Sequence, residues 1–188
     1  MAAEGPGDVQ LGSTAPDFAL PEVTDGSIVR RDDLTGDVLV VMFLSRHCPY
    51  VQHVQDQLAE LAREYTAKDV SFVGICANDA QAYPDDAADS LAEQKAEAGF
   101  EFPYVRDDAQ DVSKAYGAAC TPEFFVYDED RLLVYRGRMD ASRPGQGTPT
   151  GSELRTALSA ALEGAPVPED QVPSIGCGIK WLEGNEPE

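Results

Sequence analysis

The sequence predicts one α/β domain, in which a central mixed sheet is flanked by helices. Two continuous apolar runs are each followed by a helical pattern, and a strand hairpin and a last helix come after them. No internal repeat or low-complexity linker divides the 188 residues, a length that suits one globular domain. We therefore expect residues 1–188 to form a single domain, with residues 166–188 as a Pro- and Gly-rich C-terminal tail.

The first elements in chain order are an extended segment, a buried strand and a helix. Residues 15–31 predict extended chain with a turn at Asp25-Gly26. Residues 38–44 are apolar throughout, which is typical of a strand buried on both faces. Pro49 suits a first helical turn, and apolar residues then recur at three- and four-residue steps from Val51 to Tyr65.

The later elements follow from the same kinds of signal. Glycines mark the ends of helices, and the charged turn at residues 128–131 indicates a hairpin. The predicted elements are a strand over 70–76, helices over 86–98 and 108–116, hairpin strands over 123–127 and 132–136, and a last helix with a capping box at Thr150 and Glu153 that ends at Gly164.

The strongly acidic composition excludes some classes of partner. Asp and Glu number 34 against 14 Lys and Arg, so the formal net charge is -20. Nucleic acid and anionic membranes are therefore not expected partners, because both are bound through clustered basic residues. No apolar run is long enough to span a bilayer, and residues 1–10 lack the pattern of a signal peptide. We expect a cytoplasmic protein, and we interpret the Asp and Glu residues spread along its whole sequence as an adaptation to high salt.

The four cysteines are too few and too widely spaced for a secreted disulfide scaffold. They are Cys48, Cys76, Cys120 and Cys177, and no Cys-x-x-Cys pair exists among them. Free thiols are expected in a reducing compartment. Cys76 lies in the apolar run 70–76, and we expect it to belong to the core.

Cys48 is the residue best placed for chemistry. It lies between the end of the first buried strand and Pro49. Unpaired N–H groups and the helix dipole favour an anion there, and the thiolate is the nucleophilic form of cysteine. Arg46 and His47 add positive charge, and the Ser45 hydroxyl can offer a hydrogen bond to the sulfur. We predict a reactive Cys48; the alternative is a small apolar residue packed under the helix.

Several short motifs carry a family resemblance. They are Ala15-Pro16-Asp17-Phe18, His47-Cys48-Pro49-Tyr50-Val51, Asn78-Asp79, Tyr83-Pro84, Tyr116-Gly117-Ala118-Ala119-Cys120-Thr121-Pro122, Tyr135-Arg136-Gly137-Arg138, Ser142-Arg143-Pro144-Gly145 and Pro173-Ser174-Ile175-Gly176-Cys177. Together they resemble the peroxiredoxin-like redoxins (the AhpC/TSA type) of the thioredoxin superfamily. The resemblance covers about residues 11–181 and implies a thioredoxin-like fold.

The resemblance also implies a function. It implies an antioxidant thiol oxidoreductase without a cofactor, in which Cys48 attacks a peroxide or a protein or low-molecular-weight disulfide and a thiol reductant recycles it. Such an enzyme contributes to cell redox homeostasis. Ser45 replaces the first cysteine of the thioredoxin Cys-x-x-Cys, so no local disulfide can form. The pair Ser45 and Cys48 is instead similar to the Thr-x-x-Cys of peroxiredoxins, with Ser45 as the hydroxyl donor and Cys48 as the peroxidatic cysteine.

Two features depart from the peroxiredoxin pattern. No proline precedes Ser45 in residues 40–43, and Thr121-Pro122 stand about where peroxiredoxins carry an arginine. Arg46, Arg138 and Arg143 are the residues that could replace that arginine.

Thr121-Pro122 resemble the residue pair of thioredoxin folds in which a cis peptide bond before proline faces the active-site cysteine. The alternative is an ordinary turn that opens the strand over 123–127. On this prediction Thr121 supports the Cys48 thiolate. Two thiols are then candidates to resolve oxidised Cys48: Cys120, and Cys177 in a glycine-rich tail segment whose mobility would let it approach. For either, the alternative is an idle thiol.

Two other functions stay open. His47 and His53 flank Cys48, so a copper- or zinc-binding chaperone is possible, although their six-residue spacing puts the rings on different sides of a helix. A non-catalytic thioredoxin-like binding module would have an unreactive Cys48. Residues 45–48 contain no Asp or Glu, so we expect the acidic residues to lie on the surface around a redox site that is locally neutral to basic.

Overall fold

The computed structural model describes residues 2–4 and 9–187, and a five-stranded mixed sheet forms its centre. The strands are β1 (Ala2–Glu4), β2 (Ala19–Pro21), β3 (Ile28–Arg30), β4 (Val38–Phe43), β5 (Val70–Cys76), β6 (Tyr104–Arg106), β7 (Cys120–Thr121), β8 (Glu123–Tyr127), β9 (Leu133–Gly137) and β10 (Ile175–Gly178). The helices are α1 (Pro49–Thr66), α2 (Ala88–Ala98), α3 (Asp111–Ala115) and α4 (Ser152–Leu162).

The central sheet has the strand order β6-β5-β4-β8-β9. Strands β4, β5 and β6 are parallel, and β8 and β9 run antiparallel to their neighbours. The carboxyl ends of the three parallel strands therefore meet at one edge. The chain leaves β4 at this edge and enters α1, so the edge carries the residues around Cys48.

Both faces of the sheet are covered. Alternate residues of β4 face opposite sides: Val40 and Met42 join one buried cluster with α1, while Val41 and Phe43 join the other. All six residues of β4 are buried, as the continuous apolar run predicts. The fold class, an α/β mixed sheet with flanking helices, is confirmed.

The predicted elements are confirmed with changes at their ends. Strands β5 and β8 have the predicted bounds. Helix α2 begins at Ala88 because Pro84–Asp86 form a separate 3-10 turn. The prediction of a capping box at the start of α4 is wrong. The N-cap residue is Gly151, which has a left-handed backbone at φ 70° and offers no side chain to cap the helix. The carboxylate of Glu153 instead binds Arg138 at 2.8 Å.

The C-terminal tail, whose glycines suggested a mobile segment, forms a strand paired with the rest of the fold. Strand β10 pairs antiparallel with β7 on one side and β1 on the other. A Cβ atom on Gly176 would lie 2.0 Å from the carbonyl oxygen of Thr121, so only glycine permits this approach. The segment after β10 continues along the domain, and Ile179 and Trp181 pack against the second buried cluster.

Within the described residues, no helix has the length and apolar character needed to cross a membrane. The N-terminal stretch 1–10, for which the sequence predicts no signal peptide, lies partly outside them.

Candidate active site

Cys48 occupies the N-cap position of α1, directly before Pro49. Its side chain has no exposed surface. The Cys48 thiol donates a hydrogen bond to the backbone carbonyl of Thr121, with 3.2 Å between Sγ and O. The Thr121–Pro122 peptide is cis. The prediction that a cis-proline pair faces Cys48 is confirmed.

Thr121 contacts the sulfur through its carbonyl. A carbonyl oxygen can only accept a hydrogen bond, so this contact holds the protonated thiol, whereas the sequence predicted support for the thiolate. The Thr121 hydroxyl is buried and has no hydrogen-bond partner among the described residues.

Cys177 is the thiol that the fold brings to Cys48. It lies on β10 opposite Thr121, whose carbonyl accepts the Cys48 hydrogen bond, and it packs against the buried cluster that contains Cys48. Burial is the largest cause that raises the pKa of the Cys177 thiol to about 12; interactions with Cys48 add to it, and the positive charge of Lys180 opposes it. Cys177 is therefore protonated at neutral pH. It is half-buried, so it is the more accessible sulfur of the two.

The other two cysteines are buried and bond elsewhere. The Cys120 thiol lies 3.8 Å from the carbonyl of Ser174, and burial strongly raises its pKa. Cys76 is a core residue, as predicted, and burial raises its pKa to about 12. Of the two candidate resolving thiols, Cys177 contacts Cys48, whereas the hydrogen bond of Cys120 goes to the backbone of the tail.

Ser45 binds a carboxylate. Its hydroxyl lies 2.9 Å and 3.1 Å from the two carboxylate oxygens of Asp86 and 3.2 Å from Nδ1 of His47. Because a hydroxyl has one hydrogen to donate, the bond to Asp86 occupies it. The sequence predicted that this hydroxyl serves the Cys48 sulfur; its hydrogen bonds lie within the Asp86 cluster.

Asp86 is fully buried and organises the loop before Cys48. Besides Ser45, it accepts a hydrogen bond from the Arg46 backbone N–H at 2.7 Å and from the Asn78 amide at 2.7 Å. Its Oδ2 also lies 2.7 Å from Nδ1 of His47. These four residues surround one buried carboxylate, so Asp86 fixes the backbone and side chains of residues 45–47.

His47 is held on two sides. Nδ1 is bonded to Asp86, and the imidazole stacks on the Tyr83 ring with 5.2 Å between the centroids and 11° between the planes. The side chain is 23% exposed. The ammonium of Lys180 lies 5.8 Å from the Tyr83 ring centroid, which brings the tail beside the same stack. The imidazole next to Cys48 is thus fixed in place and reaches solvent.

Sequence reasoning missed Asp86, although a signal existed. Asn78 follows β5 and Arg106 ends β6, so parallel pairing brings both to the edge where Ser45 follows β4. Arg106 donates to the backbone carbonyls of Asp86 and Asn78 at 2.8 Å and 3.0 Å. A polar residue after each of three parallel strands is typical of a site at a sheet edge. The expectation of a site without nearby acid is therefore wrong: Asp86 is part of it.

The arginines proposed to steady the Cys48 thiolate have other partners or positions. Arg46 binds Glu93 at 2.7 Å, and Arg138 binds Glu153. Arg143 lies on a loop lining a cleft beside Pro122. Among the described residues, no arginine hydrogen-bonds to the Cys48 sulfur.

The two histidines point to separate partners. His53 Nε2 lies 3.0 Å from the hydroxyl of Ser142, whereas His47 binds Asp86. In the part of the chain that the structure describes, no group of three or more His, Cys, Asp or Glu side chains is placed to hold a metal ion. The geometry gives the metal-chaperone alternative no support.

Comparison with known proteins gives the family. Residues 10–158 match the Redoxin family. A solved structure of an uncharacterized conserved protein from Geobacillus kaustophilus is 50% identical, with a TM-score of 0.93, and the alignment covers 97% of each chain. A thiol:disulfide interchange protein of the thioredoxin family from Chlorobium tepidum TLS has a TM-score of 0.62 at 19% identity, covering 82% of this chain and 99% of that one, a likeness of fold.

A curated relative is more distant. Protein FixW from Rhizobium leguminosarum is 29% identical over 137 residues, which are 69% of this chain and 61% of FixW. The match thus spans less than two thirds of FixW. The strand order and the cis-proline facing Cys48 agree with the thioredoxin-like fold of the solved structures, and the family points to a thiol-based redox function. Because the family match covers most of the chain, the chain belongs to the Redoxin family.

Proposed function

We propose that the protein is a thiol–disulfide oxidoreductase whose redox pair is Cys48 and Cys177. The observation that carries this proposal is the position of Cys177, which lies on β10 opposite Thr121 and therefore beside the Cys48 thiol at the N-terminus of α1. Forming a disulfide from thiols already in contact requires little rearrangement of the fold. Cys177 takes the place of the cysteine that is missing at Ser45.

The reaction consists of two exchanges. The Cys48 thiolate attacks one sulfur of a substrate disulfide, the substrate S–S bond breaks, and a substrate thiolate leaves and takes up a proton. Cys177 then loses its proton and attacks the Cys48 sulfur, which forms the Cys48–Cys177 disulfide and releases the second substrate thiol. The substrate gains two electrons and the protein loses two. A cytoplasmic thiol reductant returns those electrons and is itself oxidised to a disulfide.

Access to Cys48 depends on β10. Cys48 has no exposed surface, and Cys177 lies against it from the solvent side. The first exchange therefore needs β10 to move away from β7, a pairing of only two residues on the β7 side. The return of β10 delivers Cys177 to the mixed disulfide. The tail thus acts as both cover and resolving group.

A disulfide suits this site better than a peroxide. Peroxide reduction at Cys48 would convert the thiolate to a sulfenic acid and release water, and Cys177 would then displace a second water. In the peroxiredoxin pattern an arginine steadies the thiolate, but Arg46 and Arg138 bind carboxylates here and, among the described residues, Arg143 makes no hydrogen bond to the Cys48 sulfur. A second thiol beside Cys48 is instead what disulfide exchange needs.

A trapping experiment tests the pair and the order of the exchanges. Dithionitrobenzoate is added to the reduced wild type and to the Cys48→Ser and Cys177→Ser variants at neutral pH. The wild type should release two equivalents of thionitrobenzoate and form the Cys48–Cys177 disulfide. Cys177→Ser should release one and keep an adduct on Cys48. Cys48→Ser should react far more slowly than the wild type, because burial, the largest cause of the raised pKa, still acts on the Cys177 thiol.

The controls separate the alternatives. Cys120→Ser should behave like the wild type, since Cys120 bonds to the Ser174 carbonyl. A rapid adduct on Cys177 in Cys48→Ser would reverse the order of attack. A folded wild type that forms no Cys48–Cys177 disulfide would overturn the proposal and favour a non-catalytic binding module. Faster turnover of hydrogen peroxide than of any disulfide would make peroxide the substrate.

A further inference from the structure

A small cleft lies beside the redox pair. Tyr50 and His53 of α1, the cis residue Pro122, Ile175 of β10 and the loop residues Met139 and Arg143 line it. Side chains two residues apart on a strand lie on the same face, so Ile175 and Cys177 share one face of β10. The cleft therefore adjoins the thiols on the side from which a substrate approaches.

Apolar side chains form much of the cleft, and its charges are already paired with one exception. Arg138 is bound to Glu153 at 2.8 Å. The Asp140 carboxylate accepts hydrogen bonds from the backbone N–H groups of Ser142, Thr150 and Gly151. Among the described residues, the Arg143 guanidinium makes no hydrogen bond or ion pair. Arg143 is thus the uncommitted charge of the cleft.

An uncommitted arginine is informative in this protein. The chain carries 34 Asp and Glu against 14 Lys and Arg, so carboxylate partners are plentiful. The loop that carries Arg143 is also held in place. Its backbone pairs with Gln146 in both directions at 2.9 Å and 2.8 Å, and the neighbouring Ser142 is bonded to His53 on α1. These contacts fix the loop against α1, the helix whose N-cap is Cys48.

We propose that the cleft binds the carboxylate-bearing part of a low-molecular-weight disulfide, with Arg143 as the specificity-determining residue. This inference rests on the proposed function and names its substrate class. A guanidinium recognises a carboxylate through paired hydrogen bonds. The apolar wall of Tyr50 and Ile175 receives the carbon chain between that carboxylate and the sulfur. The substrate disulfide is thereby held over β10.

The test compares disulfides that differ in charge. Turnover of oxidised glutathione (anionic), hydroxyethyl disulfide (neutral) and cystamine (cationic) is measured for the wild type and Arg143→Glu. In Arg143→Glu we expect kcat/KM for oxidised glutathione to fall about tenfold. We expect kcat/KM for hydroxyethyl disulfide to change less than about twofold, and kcat/KM for cystamine not to fall. The loss should shrink in high salt. Arg30→Glu, at an exposed arginine on β3, is the matched control with the same change of net charge.

A binding measurement tests the cleft independently of turnover. Glutathione sulfonate carries the carboxylates but no disulfide, and its binding to the wild type should be lost in Arg143→Glu and kept in Arg30→Glu. Equal effects of Arg143→Glu on all three disulfides, or equal effects of the two variants, would overturn the inference. Binding of glutathione sulfonate without turnover of any disulfide would support the cleft and contradict the proposed function.

Discussion

Cys177 lies beside Cys48, although the two residues are 129 positions apart in the sequence. The contact depends on the antiparallel pairing of β10 with β7, which puts Cys177 opposite Thr121. Thr121 in turn accepts a hydrogen bond from Cys48 through its carbonyl. The two-residue pairing of β10 with β7 therefore brings the sulfurs of Cys48 and Cys177 together at the Thr121 carbonyl.

The raised pKa of Cys177 predicts a pH dependence of alkylation. With a pKa of about 12, the thiolate fraction and the rate of alkylation by iodoacetamide should rise about tenfold per pH unit between about pH 8 and 11. Cys48→Ala removes the interactions with Cys48 that contribute to this raised pKa but leaves most of the burial. The pKa of Cys177 should then fall and its alkylation near pH 8 should speed up. Mass spectrometry of the labelled Cys177 peptide measures this.

Cys76→Ala is the control for that experiment, because Cys76 lies in the core and does not contribute to the raised pKa of Cys177. It should leave the alkylation profile of Cys177 unchanged. A Cys177 profile that is identical in the wild type and in Cys48→Ala would show that the two thiols are not coupled.

Gly176 should tolerate no side chain. In Gly176→Ala the new Cβ would lie 2.0 Å from the Thr121 carbonyl oxygen, so β10 must move off β7. We expect a loss of about 1–3 kcal/mol in the free energy of unfolding and faster alkylation of Cys48. Urea denaturation and peptide labelling measure the two effects.

Ser174→Ala is the matched substitution on the same segment. The Ser174 hydroxyl is buried without a partner among the described residues, so its removal should be neutral or slightly stabilising. If Gly176→Ala protects Cys48 as well as the wild type does, β10 is not what covers it.

Asp86 should be the most costly polar residue of the site to change. Oδ1 of Asp86 accepts from Ser45 and the Arg46 N–H, and Oδ2 accepts from Ser45 and Asn78, so Asp86→Asn replaces one of these acceptors by an amide group that donates. We expect a loss of about 2–3 kcal/mol in the free energy of unfolding, because buried donors lose their acceptor. Urea denaturation with the exposed neighbour Asp85→Asn as control, expected within about 0.5 kcal/mol of wild type, measures this. Equal stability of the two variants would contradict it.

Stability should rise with salt. The net charge of -20 makes the compact state repel itself, and added potassium chloride screens this repulsion. We expect the melting temperature to increase between about 0.1 M and 2 M potassium chloride. Changing the exposed Glu101, Glu129 and Glu163 to Gln should reduce that increase. A melting temperature that is flat or falls over this range would contradict an adaptation to high salt.

The sequence by itself determined the elements and the position of Cys48. The apolar run of β4 and the periodic pattern of α1 report burial of one local stretch, and Pro49 marks where strand passes into helix. Cys48 lies at that junction, so its place at a helix N-terminus follows from local pattern. The cis-proline pair could be predicted because Thr121-Pro122 lie within a motif of neighbouring residues.

Only the tertiary structure decided which residues surround Cys48. Asp86 reaches Ser45 because parallel strands bring their carboxyl ends to one edge, and Cys177 reaches Cys48 because Gly176 lets β10 approach the Thr121 carbonyl. Hydrophobic periodicity carries no information about such pairings, since it records how buried a residue is and not which distant residue it meets. Gly176, one of the glycines that indicated a mobile tail, instead permits close backbone contact.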